Sequence, residues 1–225
     1  MPEVIINGTE GRIEALYHHG PNPYAPMALI LHHHPEQGGE MNHKATYALF
    51  RAFLDRGYNT LRFNFRGIGK SEGRFGQEGG ELSDAASVLD WMQSYNQNAS
   101  ECWVGGISYG AWIGMQLLMR RPELDGFVSV SPPAYSCDFN FLAPCPVSGL
   151  IIHGENDTLE PQTSVNELVK KLSLQKNIVI NQKIIPGADH LFTDKLGTMM
   201  REVDSYLAEK QPQKQTQIQK NRMRS

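Results

Sequence analysis

The chain has 225 residues, 40% hydrophobic and 20% charged, with a formal net charge of −3. That length and balance predict one globular domain and give no basis for nucleic acid as the main partner. There is no run of about 18 apolar residues to span a membrane, no basic start and apolar stretch of a signal peptide in MPEVIINGTEGRIE, and no CxxC spacing among Cys102, Cys137 and Cys145. A disulfide framework or a zinc knuckle is therefore not expected, and the expected compartment is the cytoplasm.

Residues 3–7 and 12–18 read as two strands around the turn Asn7-Gly8-Thr9-Glu10-Gly11. MALIL (27–31) is a short, fully apolar strand. Residues 42–56 carry helical spacing, with Ala45, Leu49, Ala52 and Phe53 on one side and a stop at Gly57. TLRFNF (60–65) is the next strand, and after a glycine-rich loop a helix is predicted over 82–95 with Ser83 as its cap. CWVGG (102–106) closes a strand, and an apolar helix near 109–120 stops before Pro122. Strands follow over 126–131, 147–154 and 178–185, with helices over 162–172 and 194–209. Strands alternating with helices predict a mostly parallel sheet of about eight strands, covered by helices on both faces, with the first two strands as an antiparallel edge. The domain is expected to span 1–209. The tail from 210 is polar and basic and is expected to be disordered.

The chemistry begins at Gly106-Ile107-Ser108-Tyr109-Gly110, a G-x-S-x-G between an apolar strand and an apolar helix. A serine there sits on a sharp strand-to-helix turn, its hydroxyl at a helix N-terminus, where backbone N–H groups favour developing negative charge. The bland alternative is a tight turn with a capping serine. Such a hydroxyl needs a base, and the base an orienting carboxylate, in the chain order Ser, Asp or Glu, His. Asp157 in LIIHGENDTLEP and His190 in IIPGADHLF supply that order, each in a loop beyond a strand end. Glu155 and Asp189 are rival acids by proximity, and Asp138 by position.

G-I-S-Y-G, H-G-E-N-D and G-A-D-H-L-F, in this order, resemble the serine-nucleophile α/β-hydrolase superfamily over roughly residues 25–209. F-N-F-R-G-I-G-K-S-E-G (63–73) adds to the resemblance, since such hydrolases often carry an R-G-x-G-x-S loop after the fourth strand. The group most similar is that of small bacterial hydrolases of unassigned substrate, loosely akin to dienelactone hydrolases, which use cysteine where this chain has Ser108. The resemblance implies a three-layer fold and a Ser108, Asp157, His190 triad. Its oxyanion hole would be built from the backbone N–H of Tyr109 and that of His34, two positions after the first histidine of the run.

Two other motifs were weighed. GIGKS (67–71) follows a strand, but a phosphate-binding loop would need glycine where Asn64 stands, so a turn supporting the site is expected, with Arg66 bracing a carboxylate or carbonyls. His32-His33-His34-Pro35-Glu36-Gln37 is similar to a metallohydrolase H-x-H-x-D-H, but has Glu36 and Gln37 in place of the aspartate and third histidine. Only His32 and His34 would share a strand face, with His18 and His19 as further donors in principle, so no metal or cofactor is expected.

The expected activity is cleavage of a carboxylic ester or related acyl bond of a small substrate through an acyl-enzyme. Thioester cleavage, acyl transfer, perhydrolysis and a catalytically silent binding protein stay open as alternatives. Residues 131–146 are too few for a separate cap domain, which predicts an open site. Tyr135, Phe139, Phe141 and Phe192 are candidate walls. The apolar helices near 109–120 and 194–209 leave self-association into a homo-oligomer open.

Overall fold

The computed structural model describes residues 3–76, 79–142 and 144–222, with 211–222 as backbone only. One eight-stranded sheet runs through the chain: β1 (Glu3–Gly8), β2 (Gly11–His18), β3 (Met27–Leu31), β4 (Asn59–Phe63), β5 (Cys102–Ile107), β6 (Gly126–Val130), β7 (Gly149–Gly154) and β8 (Ile180–Ile185). Their order is β1-β2-β4-β3-β5-β6-β7-β8. β1 and β2 form an antiparallel hairpin that pairs antiparallel with β4, and every other pairing is parallel. This is the predicted three-layer architecture.

Every residue of β3 to β7 is buried. Helices cover both sides of them, so β3 reads as an unbroken apolar run (MALIL) rather than as alternation, while β4 buries the polar side chains of Asn59, Thr60 and Arg62 as well. α1 (Lys44–Asp55) and α5 (Leu196–Arg222) pack on one face through Leu49, Phe53, Met199 and Val203. α2 (Gly80–Tyr95), α3 (Tyr109–Leu118) and α4 (Gln162–Ser173) pack on the other through Leu82, Ile113 and Val165. Between β6 and β7 the described residues hold only a single 3-10 turn, Asn140–Leu142, and no cap domain.

One expectation is corrected. Ser83 does not cap α2: the helix begins a turn earlier, behind Gly79 at φ 70, and the Ser83 hydroxyl donates back to Gly79 O at 3.1 Å. The backbone of α5 continues as helix to Arg222, where composition predicts disorder. The side chains beyond residue 210 lie outside the described residues.

Arg66 braces both carboxylates and a carbonyl, in line with the sequence reading. Its guanidinium is 1% exposed and reaches Asp84 through two hydrogen bonds of 2.8 Å. It also contacts the Gly80 carbonyl at 2.9 Å and the Glu10 carboxylate at 2.7 Å. The hairpin turn, the loop after β4 and the start of α2 are thereby joined. The GIGKS turn is taken up by structure too: the Ser71 hydroxyl donates to Asn64 O and accepts from Glu14 N.

Candidate active site

β5 ends at Ile107, and α3 starts at Tyr109, leaving Ser108 alone on the turn at φ 50 and ψ −117. For a residue with a side chain this conformation is strained, by about 1–3 kcal/mol, and the surroundings enforce it. Ser108 N–H donates to Val130 O at 2.8 Å, and its carbonyl takes the first N–H groups of α3 from Ala111 and Trp112. The flanking glycines are required by close approach. A Cβ on Gly106 would lie 2.3 Å from Gly110 O, and one on Gly110 would lie 2.4 Å from His32 O. The nucleophile turn thus packs directly on the end of β3.

Asp157 and His190 follow β7 and β8, at the same edge of the sheet. His190 Nδ1 lies 2.7 Å from Asp157 Oδ2, and His190 Nε2 lies 2.9 Å from Ser108 Oγ. A carboxylate can only accept, so Nδ1 carries the proton and Nε2 accepts from the serine hydroxyl. The second oxygen of Asp157 accepts from Leu159 N and Glu160 N, each at 3.0 Å. Burial raises the carboxyl's proton affinity, but the His190 hydrogen bond and these backbone donors outweigh it and hold the carboxyl below its usual range. The rival acids are engaged elsewhere: Glu155 accepts from Gly187 N, Asp189 from Thr193 N and Asp138 from Asn140 N.

Two supports were not singled out in the sequence. Ser131, at φ 46 beyond β6, donates its hydroxyl to His190 O at 2.8 Å and so fixes the backbone of the histidine loop. His153 is buried with Nδ1 3.6 Å from Asp157 Oδ2, and burial lowers its proton affinity. A non-glycine residue in a left-handed conformation leaves no composition signal. His153 was in view within H-G-E-N-D, but nothing in the sequence says that it faces the aspartate.

The histidine run is spoken for by backbone. His32 Nε2 accepts from Phe65 N at 3.1 Å, so its proton sits on Nδ1, which donates to His33 O at 2.7 Å. His34 Nδ1 accepts from Glu36 N at 3.2 Å and caps the 3-10 turn Pro35–Gln37. His33 is buried and packs edge-on against His43, with ring centroids 4.4 Å apart. Among the described residues no three His, Cys, Asp or Glu side chains are placed to hold a metal ion.

Burial lowers the proton affinity of His32 to about 3 and that of His33 to about 4. In the unfolded chain both titrate near 6.5. Below that pH the unfolded state takes up protons that the folded state refuses, so stability present above pH 6.5 is lost as pH falls toward 4 and then 3. Each group contributes a slope of about 1.4 kcal/mol per pH unit at most. Urea midpoints measured from pH 7 to pH 4.5 are expected to fall, and to fall less steeply in His33→Phe.

Beside the nucleophile, four half-buried rings meet, His34, Phe75 and Tyr109 edge to face and Trp112 tilted against Tyr109. His34 and Phe75 lie 4.9 Å apart, His34 and Tyr109 5.1 Å, Phe75 and Tyr109 5.4 Å, and Tyr109 and Trp112 5.6 Å. Glu81, itself buried, accepts from Gly76 N at 2.7 Å, and burial, with the nearby Glu81 carboxylate, pushes the Tyr109 phenol's proton affinity up. The walls expected from sequence are placed differently. Phe139 and Phe192 are core residues, because both pack inward against sheet-covering helices, while Tyr135 is 72% exposed. Phe141 is half-buried against the core.

A strained serine at the end of a buried parallel strand, in hydrogen-bond contact with a histidine three strands beyond, is the arrangement of the α/β serine hydrolases. Comparison with known proteins agrees. The family model described as X-Pro dipeptidyl-peptidase (S15 family) matches residues 17–138. An uncharacterized protein of Rickettsia prowazekii is 46% identical over 92% of this chain and 89% of its own length. A putative α/β hydrolase of unknown function from Agrobacterium tumefaciens is 53% identical, with a TM-score of 0.91 over 94% of this chain and 97% of that one. An α/β serine hydrolase homologue from Coxiella burnetii is 28% identical, with a TM-score of 0.82 over 92% and 97%. The chain belongs to the S15 family within the α/β-hydrolase superfamily and is a hydrolase. Among the described residues no helix is long and apolar enough to cross a membrane.

Proposed function

We propose that the protein hydrolyses a carboxylic ester of a small molecule through an acyl-enzyme, with Ser108 as nucleophile, His190 as general base and acid, and Asp157 as the group that orients His190. The observation that carries this reading is the continuous line from Ser108 Oγ to His190 Nε2 at 2.9 Å and from His190 Nδ1 to Asp157 Oδ2 at 2.7 Å. Ser108 Oγ attacks the carbonyl as His190 Nε2 takes its proton. The imidazolium, stabilised by Asp157, returns the proton to the leaving alkoxide, and water repeats the sequence to release the acid. The N–H groups of Tyr109 and His34 receive the tetrahedral oxyanion. One such donor typically contributes about 10²- to 10³-fold in rate. The compartment we propose is the cytoplasm.

The family model's description raises a second reading, removal of dipeptides from a peptide N-terminus. That reaction must also hold a free ammonium group, and the two buried carboxylates flanking the site are already used. Glu81 accepts from Gly76 N, and Glu160 from Tyr135 N and the Ser136 hydroxyl. This favours the ester. The test is a fluorophosphonate probe followed by peptide mapping, with p-nitrophenyl esters and an X-Pro anilide assayed side by side. Labelling on Ser108 with ester turnover is expected. A folded protein that takes no label would sink the mechanism, and preferential cleavage of the anilide would sink the ester assignment.

A further inference from the structure

The tetrahedral carbon formed on Ser108 carries a leaving group and an acyl chain, and the sheet order separates them. The base His190 follows β8 and Asp157 follows β7, both on the β6 side of the nucleophile strand β5. The leaving group must lie on that side to receive the proton from Nε2. On the opposite side of β5 stand β3 and β4, followed by the loops that carry His34 and Phe75. The acyl chain is directed there, beside the two residues whose N–H groups would bind the oxyanion, Tyr109 and His34.

What the acyl chain meets on that side is the group of four rings. Phe75, Tyr109, Trp112 and His34 are each half-buried, so each keeps part of its surface free. The cluster is held rigidly at its centre. Glu81, 2% exposed, holds the Phe75 loop by accepting from Gly76 N at 2.7 Å, and Phe75 in turn packs edge-on against Tyr109. The cluster contains no lysine or arginine to pair with an anionic acyl group, and His34 Nδ1 accepts from Glu36 N–H. The one carboxylate is satisfied internally, so a cationic acyl group has no partner either.

We propose that this cluster is the acyl-binding wall and that it selects an uncharged, planar, aromatic acyl group, with Glu81 as the positioning residue that keeps Phe75 against Tyr109. Edge-to-face rings present both π faces and polarised C–H edges. A flat ring can join such an arrangement as a further edge or face, whereas a saturated ring of the same size offers only its area. The proposal rests on the serine-hydrolase reading of the site.

The test compares p-nitrophenyl phenylacetate with p-nitrophenyl cyclohexylacetate, which differ in planarity and not in length. The unmodified protein is expected to favour the aryl ester in kcat/KM by about fivefold or more. Phe75→Leu is expected to bring the ratio close to one. Glu81→Gln, which loosens the loop without removing a ring, is expected to lower the ratio as well, through KM more than kcat. A ratio near one in the unmodified protein, or a ratio untouched by Phe75→Leu, overturns the proposal while fluorophosphonate labelling of Ser108 leaves the hydrolase reading standing. Absence of both labelling and ester turnover overturns the two together.

Discussion

Ser108→Ala is expected to lower kcat for a p-nitrophenyl ester by roughly 10⁵- to 10⁶-fold, with the fold intact. The size follows from the mechanism. Without Oγ no acyl-enzyme forms, and His190 can only activate water at a position built for a serine oxygen. What remains is positioning and the oxyanion donors, which alone sustain about 10³- to 10⁴-fold over the uncatalysed reaction. The substitution removes one hydroxyl from a residue that is 6% exposed and whose backbone is held by Val130 O, Ala111 N and Trp112 N. The circular dichroism spectrum and urea midpoint are therefore expected to stay near those of the parent. Esterase activity within tenfold of the parent would mean that another group is the nucleophile.

Asp157→Asn is expected to reduce kcat by about 10⁴-fold, or about 5.5 kcal/mol of transition-state stabilisation. The amide keeps the shape but can present an N–H to His190 Nδ1. The imidazole then holds its proton on Nε2, facing Ser108, and cannot accept the serine proton. His153 sharpens the prediction, because its Nδ1 lies 3.6 Å from the same carboxylate oxygen and is buried too closely to move in as a substitute base. Asp189→Asn is the contrast. Its carboxylate bonds its own local turn, at Thr193 N, and not His190, so the steady-state rate is expected to remain in the range of the parent. Equal losses in the two variants would remove the distinction between Asp157 and its neighbour.

The serine, aspartate and histidine were legible in the sequence because each lies just beyond a strand: β5 and β7 are buried apolar runs with glycine at or near their ends, and β8 (INQKII) is marked by its isoleucines and the Pro186-Gly187 turn that follows. The fold was legible for the same reason, as full burial of β3 to β7 writes itself into composition. The start of α2 was not, since Gly79 begins the helix through backbone conformation while Ser83 has the better capping side chain. Ring partnerships also escaped. Phe75 meets Tyr109 across 34 positions of chain, with no periodicity to announce it, whereas Phe139 and Phe192 lie close to catalytic candidates in sequence and turn into the core. The histidine run was read by its place rather than its residue type: at the end of β3 the imidazoles of His32 and His34 accept from main-chain N–H groups, while that of His33 packs on His43.

The conformation of Ser108 sets stability against activity at a single position. Glycine would occupy φ 50 and ψ −117 without strain and would relieve about 1–3 kcal/mol, yet it has no nucleophile to offer. Variants recovered for thermal endurance alone would drift toward glycine here and fall silent, so a library screened for robustness must be read by turnover as well.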